Sequence, residues 1–297
     1  MIRVVALLGP TGAGKSEAAF GVARALGGEV IVCDSRQVYR GFDVGTNKPS
    51  PERLTAVPHH LVGVAEPRRT FTVHHFVSTA TAAIEDISAR GRLPVLEGGT
   101  MLWADALLDG FTLTGVPPRP KRRAELQRRP VEELAELLLE LDPSAEVDLR
   151  NPVRVVRAIE VLEVAGGPLS RLRERRPPPW DVLRIGLDAP LPALDARLAE
   201  RSRNQVERGV VEEARVALAA GVPADAPPLS GIGHAEAVAC LEGRLATEGL
   251  ADAMARSNQR YARRQLRWLR RDARITWFDA STDPLPRILA YLEERLN

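Results

Sequence analysis

The sequence predicts an α/β protein with a P-loop NTPase-like parallel sheet core and an inserted helical lobe. Near the start of the chain, short apolar runs alternate with helical patterns at separations that fit parallel strands joined by right-handed crossovers. Between Val116 and Pro179 the pattern is only helical, and strand-like runs return after it. We therefore assign residues 1–112 and 181–297 to the core and residues 113–180 to the lobe.

The predicted core elements follow from hydrophobic periodicity. Residues 4–8 are continuously apolar, which is typical of a strand covered on both faces. A helix is predicted from residue 15 to about residue 26, where Ala18, Ala19, Val22 and Ala23 recur at helical spacing. The remaining core elements are strands at residues 29–33, 93–96, 183–187 and 274–278, and a helix at about residues 73–90.

The lobe is predicted from three helical segments bordered by prolines. These segments are residues 122–129, 131–141 and 152–165. No strand-like run interrupts them. The RPPPW segment at residues 176–180 is interpreted as a stiff linker, because consecutive prolines favour extended backbone.

Composition excludes several classes of protein. The 297 residues are 44% hydrophobic and 27% charged, which excludes a disordered chain. The formal charge of +2 means that any nucleic-acid affinity must come from local clusters of arginine. Cys33 and Cys240 have no second Cys or His at metal-ligand spacing, so a disulfide framework and a zinc site are not expected. No apolar run is long enough for a membrane span or a signal peptide, and we expect a cytoplasmic protein.

A phosphate-binding motif follows the first predicted strand and opens the first predicted helix. It consists of Gly9, Pro10, Thr11, Gly12, Ala13, Gly14, Lys15 and Ser16, which match G-x-x-x-x-G-K-[ST]. The glycines let successive N–H groups point at one anion, and the helix N-terminus adds its positive dipole end. Lys15 offers a point charge to phosphate oxygens, and the Ser16 hydroxyl is suited to Mg²⁺. The motif predicts phosphate binding without identifying the phosphates.

Polar residues also follow two other predicted strands, at the sheet edge where such proteins bind ligands. Asp34 follows the second strand, and it is a candidate general base, magnesium ligand or helix N-cap. Thr100 ends the segment Glu97-Gly98-Gly99-Thr100 and offers a hydroxyl to the same crevice. No apolar strand ends in the Asp expected of a P-loop ATPase, which favours group transfer without ATP hydrolysis.

Several longer segments resemble one enzyme family along the whole chain. They are GPTGAGKS, DSRQVYRGFDVGTNKPS, VPHHLVG, GRLPVLEGGT, NPVRVVRAIEVLEVAGGPLS, SGIGHAEAVACLEG and QRYARRQLRWLRRDARITWFD. In this order they resemble bacterial tRNA dimethylallyltransferases, also called tRNA isopentenyltransferases. The resemblance implies transfer of a dimethylallyl group from dimethylallyl diphosphate to the N6 amine of an adenosine beside the anticodon of tRNA. It implies Mg²⁺ as cofactor, and the tRNA anticodon stem-loop and dimethylallyl diphosphate as partners. We expect a monomer.

The resemblance also implies roles for particular residues. Asp34 would accept the N6 proton, Thr100 would hydrogen-bond the bridging oxygen, and the P-loop would hold the diphosphate. Charge on the leaving group would be neutralised by Lys15, by Mg²⁺ on Ser16, and by Arg197 and Arg201, which are four residues apart on a predicted helix. The implied tRNA contacts are Asp34, Ser35, Arg36, Gln37, Thr100, Arg122, Val153, Arg154, Val155, Val156, Arg157, Gly231, Ile232, Gly233, His234, Ala235 and Glu236. His234 and Ala235 depart from the family, which more commonly has a Tyr and a basic residue there.

The arginine-rich segment of residues 256–277 independently predicts RNA contact. Its arginines, with Arg263 and Arg267 at the centre, interleave with Tyr261 and Trp268, as phosphate binding and base stacking require. The alternative is an amphipathic helix whose Leu266, Trp268 and Leu269 pack into the core, and we expect both on opposite faces.

Other functions remain as alternatives at this stage. A P-loop small-molecule kinase would explain Lys15 and Ser16 but would leave the arginine-rich segment without a role. An adenylate isopentenyltransferase acting on free nucleotide would not need the lobe. An RNA-binding module without activity would not need the P-loop.

Overall fold

Six parallel strands form one sheet in the computed structural model of this chain. The structure describes residues 1–111, 116–117, 119–172 and 175–296. The strands, in the spatial order β3-β2-β4-β1-β5-β6, are β1 (Ile2–Leu8), β2 (Gly28–Cys33), β3 (His59–His60), β4 (Leu93–Gly98), β5 (Trp180–Asp188) and β6 (Thr276–Asp279). The predicted parallel α/β core is therefore confirmed.

Helices connect the strands and form the rest of the chain. They are α1 (Lys15–Ala25), α2 (Pro51–Ala56), α3 (Val73–Ala89), α4 (Met101–Leu108), α5 (Pro120–Leu126), α6 (Val131–Leu141), α7 (Pro152–Ala165), α8 (Leu169–Leu172), α9 (Leu191–Glu207), α10 (Val210–Ala219), α11 (His234–Leu241), α12 (Leu250–Leu269) and α13 (Leu285–Leu296). No helix in the described ranges is both long enough and apolar enough to cross a membrane.

The register of the sheet decides where the loops meet. Leu8 of β1 and Cys33 of β2 both pair with Gly98 of β4. Because the three strands are parallel, the residues that follow them emerge side by side at one edge of the sheet. The P-loop, Asp34 and Gly99 are brought together in this way.

Apolar side chains fix the sheet against its flanking helices. Val5 and Leu7 of β1 belong to one buried cluster with Val22 of α1, Ile185 of β5 and Leu292 of α13. All five side chains are fully shielded from solvent, so this face of the strand that precedes the P-loop is held by close packing.

Two compact units divide the chain. One comprises Met1–Ala104 and Pro179–Asn297, and the other comprises Asp105–Pro178. The second unit has a hydrophobic core of its own, formed by Leu126, Leu134, Leu138, Val155 and Ile159 among others. The predicted start of the lobe, residue 113, lies outside the described residues.

Some predicted bounds were wrong for local reasons. The strand β3 was not predicted, because two histidines carry no β pattern and the strand exists only through its pairing with Val30 and Ile31. The last strand begins at Thr276 and not at residue 274, because Arg274 closes a turn by donating its N–H to Asp272 Oδ1 at 3.0 Å. The linker was predicted to include Trp180. In the structure Trp180 already pairs with Ile2 in the sheet, so the linker ends at Pro179.

The helices of the second unit follow the prediction closely. α6 and α7 have the predicted bounds, whereas α5 covers residues 120–126 and not 122–129. Pro120 starts α5 at a position that tolerates its missing N–H. Asn151 caps α7 by accepting a hydrogen bond from the Arg154 N–H at 3.2 Å.

A buried carboxylate joins three elements at the edge of the sheet opposite the P-loop. Glu29 of β2 is 2% exposed, and it contacts His60 Nε2 at 2.8 Å, Arg90 Nη2 at 2.9 Å and Arg92 Nη1 at 3.0 Å. The Arg90 hydrogen bond lowers the pKa of Glu29 to about 2, against the effect of burial, and His60 and Arg92 lower it further. The ionised form of Glu29 therefore stabilises the fold.

Glu29→Gln should reduce the free energy of unfolding at pH 7 by about 3 kcal/mol, the value of a shift from 4.5 to about 2. Because the folded-state pKa is depressed, this contribution is complete above about pH 5 and is lost as the pH falls through 4.5 toward 2. Urea unfolding of both proteins at pH 7 and pH 3 measures it. The exposed Glu17→Gln is the control, and a difference between wild type and Glu29→Gln that is the same at both pH values would contradict this account.

Candidate active site

The P-loop lies between β1 and α1, as the motif predicts. Gly12 and Gly14 adopt φ angles of +84° and +81°, a backbone conformation that side chains disfavour. Lys15 starts α1, and its Nζ donates to the Pro10 carbonyl oxygen at 2.8 Å. Burial lowers the pKa of Lys15, and the nearby Glu97 carboxylate opposes this effect. The lysine is thus held inside the loop whose anion it is suited to bind.

Glu97 is a site residue that the sequence reasoning did not single out. It stands in β4 next to the P-loop strand, is 4% exposed, and accepts a hydrogen bond from Ser16 Oγ at 3.2 Å. Burial raises the pKa of Glu97, although Lys15 opposes the shift. The sequence feature that could have identified Glu97 is its position at the carboxyl end of a buried strand. Ligands of such sheets bind next to these strand ends.

Asp34 and Thr100 are joined through the turn that follows β2. Asp34 Oδ1 accepts hydrogen bonds from the backbone N–H of Arg36 at 2.7 Å and of Gln37 at 3.2 Å. Thr100 Oγ1 accepts from the Ser35 N–H at 3.1 Å. The capping role left open for Asp34 is therefore present, although it caps a turn and not a helix. Asp34 Oδ2 accepts no hydrogen bond from any described residue, so one oxygen is left for a ligand.

Two arginines of α9 extend toward the same space. Arg197 Nη2 donates to the Ala280 carbonyl oxygen at 2.8 Å, and Arg201 Nη2 donates to Asn258 Oδ1 at 3.0 Å. Burial lowers the pKa of Arg201, and Asp34 opposes this effect. Arg201 Nε is buried and has no acceptor among the described residues. This guanidinium has donor capacity left for an anionic ligand.

A glutamine of α12 braces the P-loop, and no sequence motif predicts this contact. Gln265 Oε1 accepts from the Thr11 N–H at 2.8 Å, and its Nε2 donates to the Gly99 carbonyl oxygen at 2.7 Å. Tyr261 Oη donates to the same Gly99 oxygen at 3.1 Å. Burial raises the pKa of Tyr261 to about 12, so the phenol stays neutral. Instead of stacking on a basic surface, Tyr261 belongs to the wall of the site.

One cavity of 580 Å³ unites these residues. Of the residues predicted from sequence, it is lined by Thr11, Gly12, Gly14, Lys15, Ser16, Asp34, Ser35, Arg36, Gln37, Thr100, Arg197, Arg201, Gly231 and Ile232. Other residues that line it include Glu97, Asn258, Tyr261 and Gln265. The cavity joins an anion-binding end at the P-loop to an end that carries Asp34.

Other residues of the first unit predicted as RNA contacts lie elsewhere. His234 is 1% exposed, so its side chain is not available for surface contact. Glu236 accepts the Gly233 N–H at 2.7 Å and caps α11. Arg263 makes two hydrogen bonds with Asp195, at 2.9 and 2.7 Å, and Arg263 and Arg267 line a separate cavity of 670 Å³ at the ends of β5 and β6.

The sequence predicts that the residues around Trp268 lie on two faces of one helix, one apolar and one rich in arginine. Leu266 and Leu269 are buried, as expected of the apolar face. Trp268 is 37% exposed with Arg271 above its ring at 5.9 Å, so the alternative that Trp268 packs into the core was wrong. This residue shares the exposed face of α12 with Arg264 and Arg267.

Within the second unit, predicted contact residues divide between core and surface. Val155 and Val156 pack inside the core of that unit, so their side chains are not available to RNA. Val153 is 72% exposed, and Arg154 is exposed beside it. Arg122 pairs with Glu163 at 2.6 Å, and Arg157 Nη2 donates to the Val116 carbonyl oxygen at 2.6 Å.

Comparisons with known proteins agree on one family. The IPP transferase family model matches residues 37–272. A tRNA dimethylallyltransferase of Thermomicrobium roseum is 43% identical over 284 residues, which are 94% of this chain and 86% of that protein. A tRNA dimethylallyltransferase of a Roseiflexus species is 39% identical over 291 residues, 96% of this chain and 95% of that protein.

Solved structures extend the similarity to the fold. The full-length tRNA isopentenylpyrophosphate transferase of Bacillus halodurans has a TM-score of 0.76 at 34% identity, covering 100% of this chain and 97% of that one. A eukaryotic dimethylallyltransferase acting on tRNA has a TM-score of 0.85 at 24% identity, covering 100% of this chain and 80% of that one. The latter likeness concerns the fold alone.

Gly99→Ala should disturb the brace between α12 and the P-loop. A Cβ at residue 99 would lie 2.2 Å from Gln265 Nε2, so the glutamine must move and release the Thr11 N–H. We expect the free energy of unfolding to fall by about 1–3 kcal/mol and the Kd for inorganic diphosphate to rise about tenfold, because one loop donor loses its alignment. Thermal unfolding and calorimetric titration measure the two effects. Gly167→Ala, whose Cβ would meet nothing within 4 Å, is the control; if both variants behave like wild type, Gln265 does not brace the loop.

Proposed function

The chain belongs to the IPP transferase family, and from this membership and its cavity we propose that it transfers a dimethylallyl group to tRNA. The donor is dimethylallyl diphosphate, the acceptor is the N6 amine of an adenosine adjacent to the anticodon, and diphosphate is released. The observation that carries the proposal is the single cavity in which the P-loop, Asp34 and Thr100 meet. The names of the relatives support both substrates.

The P-loop end of the cavity suits the diphosphate. The loop from Gly9 to Ser16 offers backbone N–H groups, and Lys15, Arg197 and Arg201 offer positive charge. As the C–O bond breaks, negative charge grows on the leaving diphosphate. Donors that are already oriented stabilise this charge without further reorganisation.

The residues beside the P-loop also fit Mg²⁺. Ser16 and Glu97 supply two oxygen ligands, and Mg²⁺ usually takes one or two protein carboxylates together with waters and phosphate oxygens. In the described part of the chain no three His, Cys, Asp or Glu residues are grouped to hold a metal ion, so the diphosphate must complete the site. When bound, the ion neutralises charge on the diphosphate.

The Asp34 end of the cavity suits the acceptor amine. The N6 lone pair forms a bond to the allylic carbon while the bond from that carbon to the diphosphate oxygen breaks, and the N6 proton passes to Asp34. The turn fixes Asp34 Oδ1, which leaves Oδ2 for this proton. Thr100 Oγ1 already accepts the Ser35 N–H, so its own O–H is available to donate to the bridging oxygen.

Surface arginines suit the anticodon stem-loop of tRNA. On α12, Arg264 and Arg267 are exposed together with Trp268, a combination that suits phosphates and an unstacked base. Arg263 contributes less net attraction, since Asp195 neutralises it. The lobe of residues 113–180 is proposed as a second tRNA contact through Arg122, Val153 and Arg154. That the protein is monomeric and cytoplasmic stays a prediction.

A labelled-substrate assay tests this function against its alternatives. The protein is incubated with labelled dimethylallyl diphosphate and Mg²⁺ together with unmodified tRNA, with AMP, or with ATP and candidate metabolites. We expect label on tRNA only. Label on AMP but not on tRNA would identify an adenylate isopentenyltransferase instead. Transfer of the γ-phosphate of ATP to a metabolite, without prenylation, would identify a small-molecule kinase.

Asp34→Asn should lower the rate of transfer by roughly two to four orders of magnitude. The amide keeps an oxygen for the Arg36 and Gln37 N–H groups but cannot accept the N6 proton, so base catalysis is removed while the turn is kept. Single-turnover kinetics give the rate, and a filter-binding assay should show tRNA affinity within about threefold of wild type. Asp225→Asn is the control, because the Asp225 side chain is exposed and makes no hydrogen bond or ion pair with any described residue. An unchanged single-turnover rate would remove Asp34 as the base.

A further inference from the structure

One wall of the cavity is an irregular loop that belongs to no helix or strand. Gly45, Thr46 and Asn47 of this loop line the cavity together with Asp34 and Gln37. The loop, residues 42–47 and here called the wall loop, is turn and coil. Turn hydrogen bonds inside the loop, such as that from the Asn47 N–H to the Val44 carbonyl oxygen at 3.1 Å, are supplemented by contacts from outside it.

A single carboxylate receives three successive N–H groups of the wall loop. Glu213 Oε1 accepts from the N–H of Asp43 at 2.6 Å and of Val44 at 2.8 Å, and Oε2 accepts from the N–H of Gly45 at 2.9 Å. Glu213 is 11% exposed and belongs to α10. Hydrogen bonds to a charged acceptor are stronger than neutral ones, and three converge here.

A buried histidine holds this carboxylate in place. His234 Nε2 lies 2.6 Å from Glu213 Oε2, and the imidazole meets the edge of Phe42 with 5.0 Å between ring centroids. Gly45 lies flat against the same ring, because a Cβ there would be 2.3 Å from His234 Cε1. Burial pushes the pKa of Glu213 upward, but the hydrogen bonds from His234, Gly45 and Val44 outweigh it and lower the pKa. Glu213 is thus kept ionised.

Two glutamines, Gln205 and Gln37, contact the carbonyl groups of the wall loop. Gln205 Nε2 donates to the carbonyl oxygens of Val44 at 3.1 Å and Gly45 at 2.8 Å, and Gln37 Nε2 donates to that of Thr46 at 3.2 Å. Both amide oxygens, Gln205 Oε1 and Gln37 Oε1, are buried without a donor among the described residues. Unmade hydrogen bonds of this kind are costly and offset part of what the two glutamines contribute, whereas the Glu213 carboxylate makes charge-assisted hydrogen bonds with three N–H groups of the loop.

We propose that Glu213, oriented by His234, is a positioning residue for the acceptor end of the cavity. It holds the wall loop, and the wall loop holds Gln37 three residues after Asp34. Glu213 is not among the residues that line the 580 Å³ cavity, so it acts through the loop. This inference rests on the proposed function, because the ligand that the wall loop faces is the substrate adenosine. It assigns a role to the buried His234, which has no surface for RNA.

Glu213→Gln tests the proposal through a difference between the two substrates. The amide nitrogen cannot accept the Gly45 N–H, so the wall loop loses part of its support. We expect the KM for tRNA to rise about 10- to 100-fold, as the loss of a charge-assisted hydrogen bond allows. The KM for dimethylallyl diphosphate should stay within about twofold, because the P-loop is braced separately by Gln265. Equal changes in both KM values, or none, would overturn the proposal.

Hydrogen exchange provides a readout that does not depend on activity. The amides of Asp43, Val44 and Gly45 should be protected in the wild-type protein and should exchange at least about tenfold faster in Glu213→Gln. If these amides exchange in wild type as in an unstructured peptide, the proposal fails even if no variant folds. If they are protected but the protein does not prenylate tRNA, the proposed function fails and the positioning of the loop stands.

Matched variants separate positioning from general damage. Glu212→Gln changes the adjacent exposed carboxylate, which pairs only with Arg215, and should leave both KM values unchanged. His234→Leu removes the donor to Glu213, whereas His234→Gln retains one. We expect His234→Gln to keep a lower KM for tRNA than His234→Leu. If both His234 variants match wild type, the histidine does not orient Glu213.

Discussion

The shared register of Leu8, Cys33 and Gly98 is the constraint on which the rest of the site depends. It sets the ends of three parallel strands at one level, and the Thr100 N–H then reaches the Cys33 carbonyl oxygen at 3.3 Å to tie two of the ends together. A shift of one residue in any strand would reverse which side chains face the core. The P-loop and Asp34 are neighbours because hydrophobic packing forbids such a shift.

The cavity concentrates buried charge that the protein only partly neutralises. Lys15 and Glu97 lie within one site, and burial shifts the pKa of each toward the neutral form against their mutual attraction. Arg201 is likewise buried, with Asp34 as the carboxylate that opposes the fall of its pKa. Such an arrangement costs stability in the free protein. The diphosphate and Mg²⁺ that we propose for this site would supply the missing counter-charges, and the same side chains that weaken the empty fold would then favour the bound state.

The sequence was sufficient for the core because its signals are local. Apolar runs, the glycine pattern of the P-loop and the position of Asp34 after a strand each depend on consecutive residues. What it did not reveal depends on contacts between distant segments. Gln265 braces Thr11 across 254 positions, and Glu213 meets Gly45 across 168. Nothing near either residue distinguishes it from a helix-surface polar side chain. Whether Trp268 faces solvent or the core, and whether His234 can reach RNA, likewise depends on which distant neighbours cover these side chains.

The strand β1 lies between two strands, β4 and β5, that are at very different distances from it along the chain. β1 pairs with β4 at Val5 and Val95, but it pairs with β5 at Ile2 and Trp180. Almost two thirds of the chain must therefore be synthesised on the ribosome before β5 can pair with the second edge of β1. Unpaired parallel strands are slow to form and prone to aggregation. The intervening unit, residues 105–178, has its own core and is synthesised completely within this interval. Its early folding would shorten the disordered segment that separates β4 from β5, and would lower the entropy lost when β1 acquires its last partner.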